Sequence, residues 1–258
     1  MFALQNSARV SIALIGLMIV LASGCATQST LGPLNQKLHE RMLSDSRTDR
    51  STTKLLREIE KNPESAELRV VLGQRFLAQG SLNSARLAAQ AAIELAPANA
   101  DAWRLIGDVD TSDQRFADAL THYQNGLGLA PKRTDLQMRI ANSYLHLDRP
   151  LRAASTLENL VNRPGQPASV ELLTLYGNVM QEIGQHTRAT QAFAVACQDP
   201  GATSEHFIRL SHSQVLAGDV PASAATLQAC LQRFPESGQA RELLDQVIGQ
   251  QESNLAVR

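Results

Sequence analysis

The sequence has few aromatic residues, few cysteines and no excess of charge of either sign. Aromatic side chains make up 4% of its 258 residues, and there are 24 lysines and arginines against 25 aspartates and glutamates. A nucleic-acid surface would need a basic stripe, so we expect no nucleic-acid partner. The shortage of aromatic residues, together with abundant alanine and leucine, favours close-packed helices over a β-sandwich.

No apolar run is long enough for an ordinary membrane span. The longest near the start, VSIALIGLMIVL at residues 10–21, has 12 residues, where a span needs about 20. Arg9 is the only charged residue before Cys25, and small residues separate the apolar run from that cysteine. This order of basic, apolar and small residues predicts a signal peptide over residues 1–24.

The stretch LASGC, residues 21–25, resembles a bacterial lipobox. The resemblance implies lipidation of the Cys25 thiol, cleavage just before it, and a protein held at a membrane by several acyl chains. Ala26 stands where an aspartate signals inner-membrane retention in many bacteria, which favours the outer membrane facing the periplasm. The alternatives are an ordinary secretory signal with a chance cysteine, or an uncleaved anchor.

Prolines recur at a nearly constant interval through the rest of the chain. Pro63, Pro97 and Pro131 are 34 residues apart, and Pro167, Pro200 and Pro235 follow at intervals of 36, 33 and 35. A period near 34 that ends on proline resembles the tetratricopeptide repeat (TPR), a pair of antiparallel helices. Small residues recur in the eighth and twentieth columns of the aligned units, and larger apolar residues in the seventh and twenty-fourth, as close helix packing requires.

The resemblance implies an all-α fold, a right-handed TPR superhelix of about five helix-turn-helix repeats. A half-repeat should precede the array and a capping helix should follow it, because each repeat buries its apolar face only against its neighbours. The predicted division is a tether at 25–50, a TPR domain at 51–250 with caps at 51–63 and 238–250, and a frayed tail at 251–258. The repeats are predicted near 66–99, 100–133, 134–169, 170–203 and 204–237.

In TPR proteins the first helix of each repeat lines a concave groove that holds a peptide or helix of a partner. The corresponding columns of this chain predict a groove that is polar at its centre and more apolar towards its ends. Its candidate partner-binding residues are Arg104, Asp108, Asn142, His146, Asn178 and Gln181. The alternative for each of them is an ordinary solvated position.

The sequence offers no recognisable catalytic motif, metal-ligand spacing or cofactor motif, so we expect a protein that is not an enzyme. The acidic stretch DVDTSD, residues 108–113, lacks the glycine and the closing glutamate of a calcium loop and is interpreted as a loosened helix end. Cys197 and Cys230 fall on the second helices of neighbouring repeats. They are interpreted as buried thiols, with a disulfide as the alternative.

The lipobox, the chain length and the five repeats resemble the TPR lipoproteins of the Flp (tad) type of pilus, called TadD, and the pilotins of type IV pili. The implied function is a lipid-anchored periplasmic scaffold that binds a protein partner, such as a secretin or a pilus-assembly subunit, and assists assembly. An adaptor that recruits cell-wall hydrolases or synthases is the alternative, and an enzyme with an unrecognised site is a remote one.

Overall fold

The computed structural model describes residues 50–165 and 167–256. Over those residues the chain folds into twelve α-helices, each packed against the next along the chain, and forms no strand. Their bounds are α1 Arg50–Lys61, α2 Ala66–Ala78, α3 Leu82–Leu95, α4 Ala100–Ser112, α5 Phe116–Leu129, α6 Thr134–His146, α7 Pro150–Val161, α8 Val170–Glu182, α9 His186–Cys197, α10 Ser204–Leu216, α11 Val220–Arg233 and α12 Gly238–Ala256. The all-helical superhelix predicted from the repeats is confirmed.

Helices α2 to α11 pair into five helical hairpins, whose first helices are α2, α4, α6, α8 and α10. Side-chain caps set the start of several first helices. The Ser65 hydroxyl accepts a hydrogen bond from the Leu68 amide at 3.2 Å, and the Ser169 hydroxyl accepts one from the Leu172 amide at 3.2 Å. Each such bond satisfies an amide that would otherwise lack a partner in the first helical turn.

The turn inside each hairpin places one residue in the left-handed region. Three of these residues are glycines, Gly80, Gly184 and Gly218, with φ between 73° and 83°. The second and third hairpins use Gln114 at φ 59° and Asp148 at φ 55° instead. A side chain in this region costs roughly 1–2 kcal/mol, and glycine avoids that cost.

The core is built where the two helices of a hairpin meet and where hairpins stack. In the second hairpin Gly107 lies against the ring of Tyr123, and in the fourth Gly177 lies against the ring of Phe193. Both rings are fully or almost fully buried. The small residue of the eighth column thus packs against the large residue of the twenty-fourth column in these two hairpins, as close helix packing requires.

The ends of the array differ in one respect from the prediction. Helix α1 precedes the first hairpin and packs on α2, and α12 follows the fifth and packs on α11. Helix α12 continues to Ala256, so the helix does not stop near residue 250 as predicted. The sequence between Gly249 and Ala256 contains no proline or glycine, so nothing in it ends the helix.

The predicted signal peptide, Cys25 and nearly all of the predicted tether lie outside the described residues. Among the helices that the structure does describe, none combines the length and the apolar character that a membrane crossing requires.

Candidate partner-binding surface

The first helices of the hairpins form one side of the array. Helix α4 contacts α2 directly, and α8 contacts α6, in addition to the contacts between helices that follow one another in the chain. Close approach of first helices on one side places that side on the inner curve of the superhelix. All six candidate residues predicted from the sequence lie on these first helices.

Arg104 and Asp108 lie on α4 and form hydrogen bonds and ion pairs with other residues of the protein. The Arg104 guanidinium donates to the Asp108 carboxylate at 3.1 Å, Arg139 from the next repeat lies 2.6 Å from the same carboxylate, and the Tyr123 hydroxyl donates to it at 2.8 Å. The Asp108 side chain is only 11% exposed, and burial raises the pKa of its carboxyl while Arg139 opposes that shift. These two residues therefore form an internal charged cluster on the inner surface, and little of their bonding capacity remains for a partner.

Charged pairs continue this cluster along the edge between the second and third repeats. Arg133 donates to Asp101 at 2.8 Å and to Asp135 at 2.6 Å, so that one guanidinium joins the starts of α4 and α6. Burial raises the pKa of Asp101, but the hydrogen bond and charge of Arg133 outweigh this and leave that pKa lowered. For Asp135, the hydrogen bond from Arg133 is the main cause of a lowered pKa.

A recurring bond joins the sixth column of one repeat to the ninth column of the repeat before it. Arg139 reaches Asp108 in this way, and the Arg209 guanidinium donates to the Asn178 side-chain oxygen at 3.0 Å. Sequence reasoning did not predict this pairing. The signal for it was arginine in the sixth column of the third and fifth repeats.

Asn142 occupies the ninth column of the third repeat, between the two repeats whose ninth-column residues, Asp108 and Asn178, take part in these bonds. The corresponding sixth-column residue of the fourth repeat is Leu175, which has no polar group to offer. The Asn142 side chain is half-buried, and it makes no hydrogen bond with any residue the structure describes. Its amide is therefore the member of the predicted set that is available to a partner's backbone.

His146, Asn178 and Gln181 come together in an open depression of about 550 Å³ between α6, α8 and α10. The Gln181 amide lies 3.4 Å from His212 Nδ1, and the exposed His146 ring stacks on Phe116 with centroids 4.1 Å apart. The six residues predicted from the sequence thus fall into three groups. Arg104 and Asp108 bond to other residues of the protein, Asn142 is open, and His146, Asn178 and Gln181 line this depression.

A buried charged cluster on the core side of α4 was not predicted. Asp110 is 0% exposed, and its carboxylate accepts from the Arg86 guanidinium and lies 2.7 Å from His122 Nδ1. The stretch 108–113, interpreted from the sequence as a loosened helix end, instead belongs to a regular helix as far as Ser112. The available signal was an aspartate in a column that holds Phe76, Tyr144, Met180 and Gln214 in the other repeats, since a buried carboxylate requires a partner.

The cysteines and the acidic groups do not form a reactive or metal-binding site in the described part of the chain. Cys197 and Cys230 are buried free thiols, and burial raises the pKa of Cys197 to about 12. A thiol with a raised pKa stays protonated and unreactive near neutral pH. No group of three or more His, Cys, Asp or Glu side chains among the described residues is arranged to hold a metal ion.

Comparison with known proteins agrees with this architecture. The tetratricopeptide-repeat family profile matches residues 46–100 and 70–134. Over 91 residues the chain is 31% identical to the peroxisomal targeting signal receptor of Komagataella phaffii, which covers 35% of this chain and 16% of the receptor. The chain thus spans about a sixth of the length of this curated relative.

Solved structures share the fold over most of the chain. PilF of Pseudomonas aeruginosa has a TM-score of 0.63 at 15% identity, covering 83% of this chain and 96% of PilF. YrrB, a TPR protein described as having an unusual peptide-binding site, has a TM-score of 0.56 at 20% identity, covering 73% of this chain and 96% of YrrB.

Residues 46–134 thus match the tetratricopeptide-repeat profile, and the described residues share the fold of solved tetratricopeptide-repeat structures. TPR proteins are typically non-catalytic scaffolds for protein–protein interaction. The inner surface described above is the part of this molecule that such a role would use.

Proposed function

We propose that this protein is a lipid-anchored scaffold, attached through Cys25 to the outer membrane and facing the periplasm. It binds a protein partner on its inner surface and assists the assembly of a pilus or secretion system. The binding role rests on the inner surface of the five-hairpin array. This surface presents the open Asn142 amide and the depression lined by His146, Asn178 and Gln181.

The fold likeness to PilF, which extends over 96% of that protein, supports the assignment to a pilus or secretion system. The lipobox-like sequence that ends at Cys25 supports the membrane attachment. The partner expected on these grounds is a secretin or another pilus-assembly subunit.

Site-specific photocrosslinking tests the proposal in the full-length protein in cells. A photoreactive residue in place of Asn142 should crosslink to a secretin or a pilus-assembly subunit, identified by mass spectrometry. The matched control carries the same residue in place of Gln191, which is exposed on the second helix α9, and should not give that product.

Two outcomes would contradict the proposal. Equal crosslinking from positions 142 and 191 would remove the inner surface as the binding site. Crosslinks from position 142 to cell-wall hydrolases or synthases alone would replace pilus assembly with an adaptor function.

A further inference from the structure

The depression between α6, α8 and α10 contains two carboxylates whose charge is not balanced. Asp148 and Glu182 both line it, both are exposed, and neither forms an ion pair or hydrogen bond through its side chain with any residue described in the structure. Both face an open space large enough to admit side chains of a partner.

The charged arginine in the depression, Arg209, does not neutralise these two carboxylates. The guanidinium of Arg209, which also lines the depression, pairs with Glu205 at 2.9 Å and donates to Asn178 at 3.0 Å. His212 is engaged with Gln181, and the His146 ring stacks on Phe116. The excess charge of the depression at neutral pH is therefore negative.

The depression also has an apolar wall, formed by the half-buried side chains of Leu145 and Pro150. Lysine and arginine bury their methylene stems on apolar surface while the charged end stays with polar groups. An apolar wall beside two carboxylates suits such a side chain better than it suits a free metal ion.

From these observations we infer that the depression takes a lysine or arginine side chain from a basic segment of the protein partner. Asp148 and Glu182 supply the attraction, and Leu145 and Pro150 contact the stem. The inference rests on the proposed function, because it names the chemistry of the partner that the same inner surface would bind.

The test measures fluorescence anisotropy of labelled twelve-residue peptides binding to the full-length protein in detergent at pH 8, where free imidazole is largely uncharged. The probes alternate glycine and leucine with lysine, glutamine or glutamate. The lysine peptide should bind at least threefold more tightly than the glutamine peptide, and the glutamate peptide should bind most weakly.

The variant Asp148→Asn with Glu182→Gln should weaken binding of the lysine peptide by about threefold to tenfold, the range expected for two solvent-accessible ion pairs. The matched control, Glu64→Gln with Glu236→Gln, removes the same charge at exposed positions outside the depression and should leave affinity unchanged. Asparagine tolerates a left-handed backbone, so the variant should fold, and circular dichroism checks this.

Equal loss in both double variants would show that only net charge matters, and would overturn the inference. Equal affinity for the three peptides would do the same. Either result would leave the crosslinking from position 142 intact, so failure here is distinguishable from failure of the proposed function.

Discussion

At the scale of single residues, Asp110 is a charged side chain that the fold buries completely. Its carboxylate contacts Arg86 and His122, and Arg115 lies 3.7 Å away. A buried carboxylate is tolerated because these groups compensate its lost hydration. Arg86 belongs to the first repeat and Asp110 to the second, so this contact also joins neighbouring hairpins.

Replacing Asp110 by alanine should lower the free energy of unfolding by about 3 kcal/mol, because the Arg86 guanidinium, only 19% exposed, loses the buried one of its two carboxylate partners. Urea denaturation followed by circular dichroism measures this. Asp113→Ala is the control, since Asp113 pairs with the same arginine but is 44% exposed, and should cost less than about 1 kcal/mol. Equal losses in the two variants would mean that burial does not set the strength of this cluster.

At the scale of helices, the distance between the two members of a hairpin depends on glycine. A methyl group added at Gly107 would lie 2.5 Å from the Tyr123 ring, and one added at Gly177 would lie 2.5 Å from the Phe193 ring. Where the twenty-fourth column is leucine, as at Leu157 or Leu227, the eighth column holds alanine or serine instead. In the second to fifth hairpins, an aromatic ring on the second helix is therefore matched by glycine on the first, and a leucine by alanine or serine.

Gly107→Ala should therefore destabilise the protein by about 1–3 kcal/mol, because the ring of Tyr123 must move within a close-packed core. The control is Gly128→Ala, on the exposed surface of α5 where an added methyl group meets nothing within 4 Å. That change should stabilise by up to about 1 kcal/mol, because alanine restricts the unfolded chain and favours helix. Thermal unfolding compares the two, and stabilisation by both would contradict the packing argument.

At the scale of the whole molecule, the array joins hairpins by contacts that cross from one repeat to the next. Between the second and third repeats these are charged, through Arg133 and Arg139. Between the fourth and fifth, the Arg233 guanidinium donates to the Pro200 carbonyl oxygen at 2.6 Å. Such neighbour contacts are what a repeat protein relies on for stability, because each repeat buries its apolar face against its neighbours.

The proposed attachment of this array to the outer membrane makes a prediction about location. Cys25→Ser should leave a folded protein that no longer sediments with membranes, because the thiol proposed to carry the acyl chains is removed. Ala26→Asp should keep the protein in membranes but move it to the inner-membrane fraction on a density gradient. Unchanged fractionation of Cys25→Ser would remove the lipid anchor from the proposal, whereas the fold of residues 50–256 would stand.

The sequence alone determined the all-α repeat fold of this protein, because the ends of the helices and the period of the repeat depend on residues close together in the chain. Pro63, Pro97 and Pro131 each follow the end of a helix, and small and large residues recur with the period of the repeat, as at Gly107 and Tyr123. Only the tertiary structure decided which predicted groove residues are open. Asp108 is paired with Arg139 from the next repeat, whereas Asn142, for which the corresponding residue is Leu175, makes no hydrogen bond with the described residues. These pairings depend on how neighbouring hairpins are stacked. The depression that contains Asp148 and Glu182 is likewise lined by residues of the third, fourth and fifth repeats, so its charge also depends on how the hairpins stack.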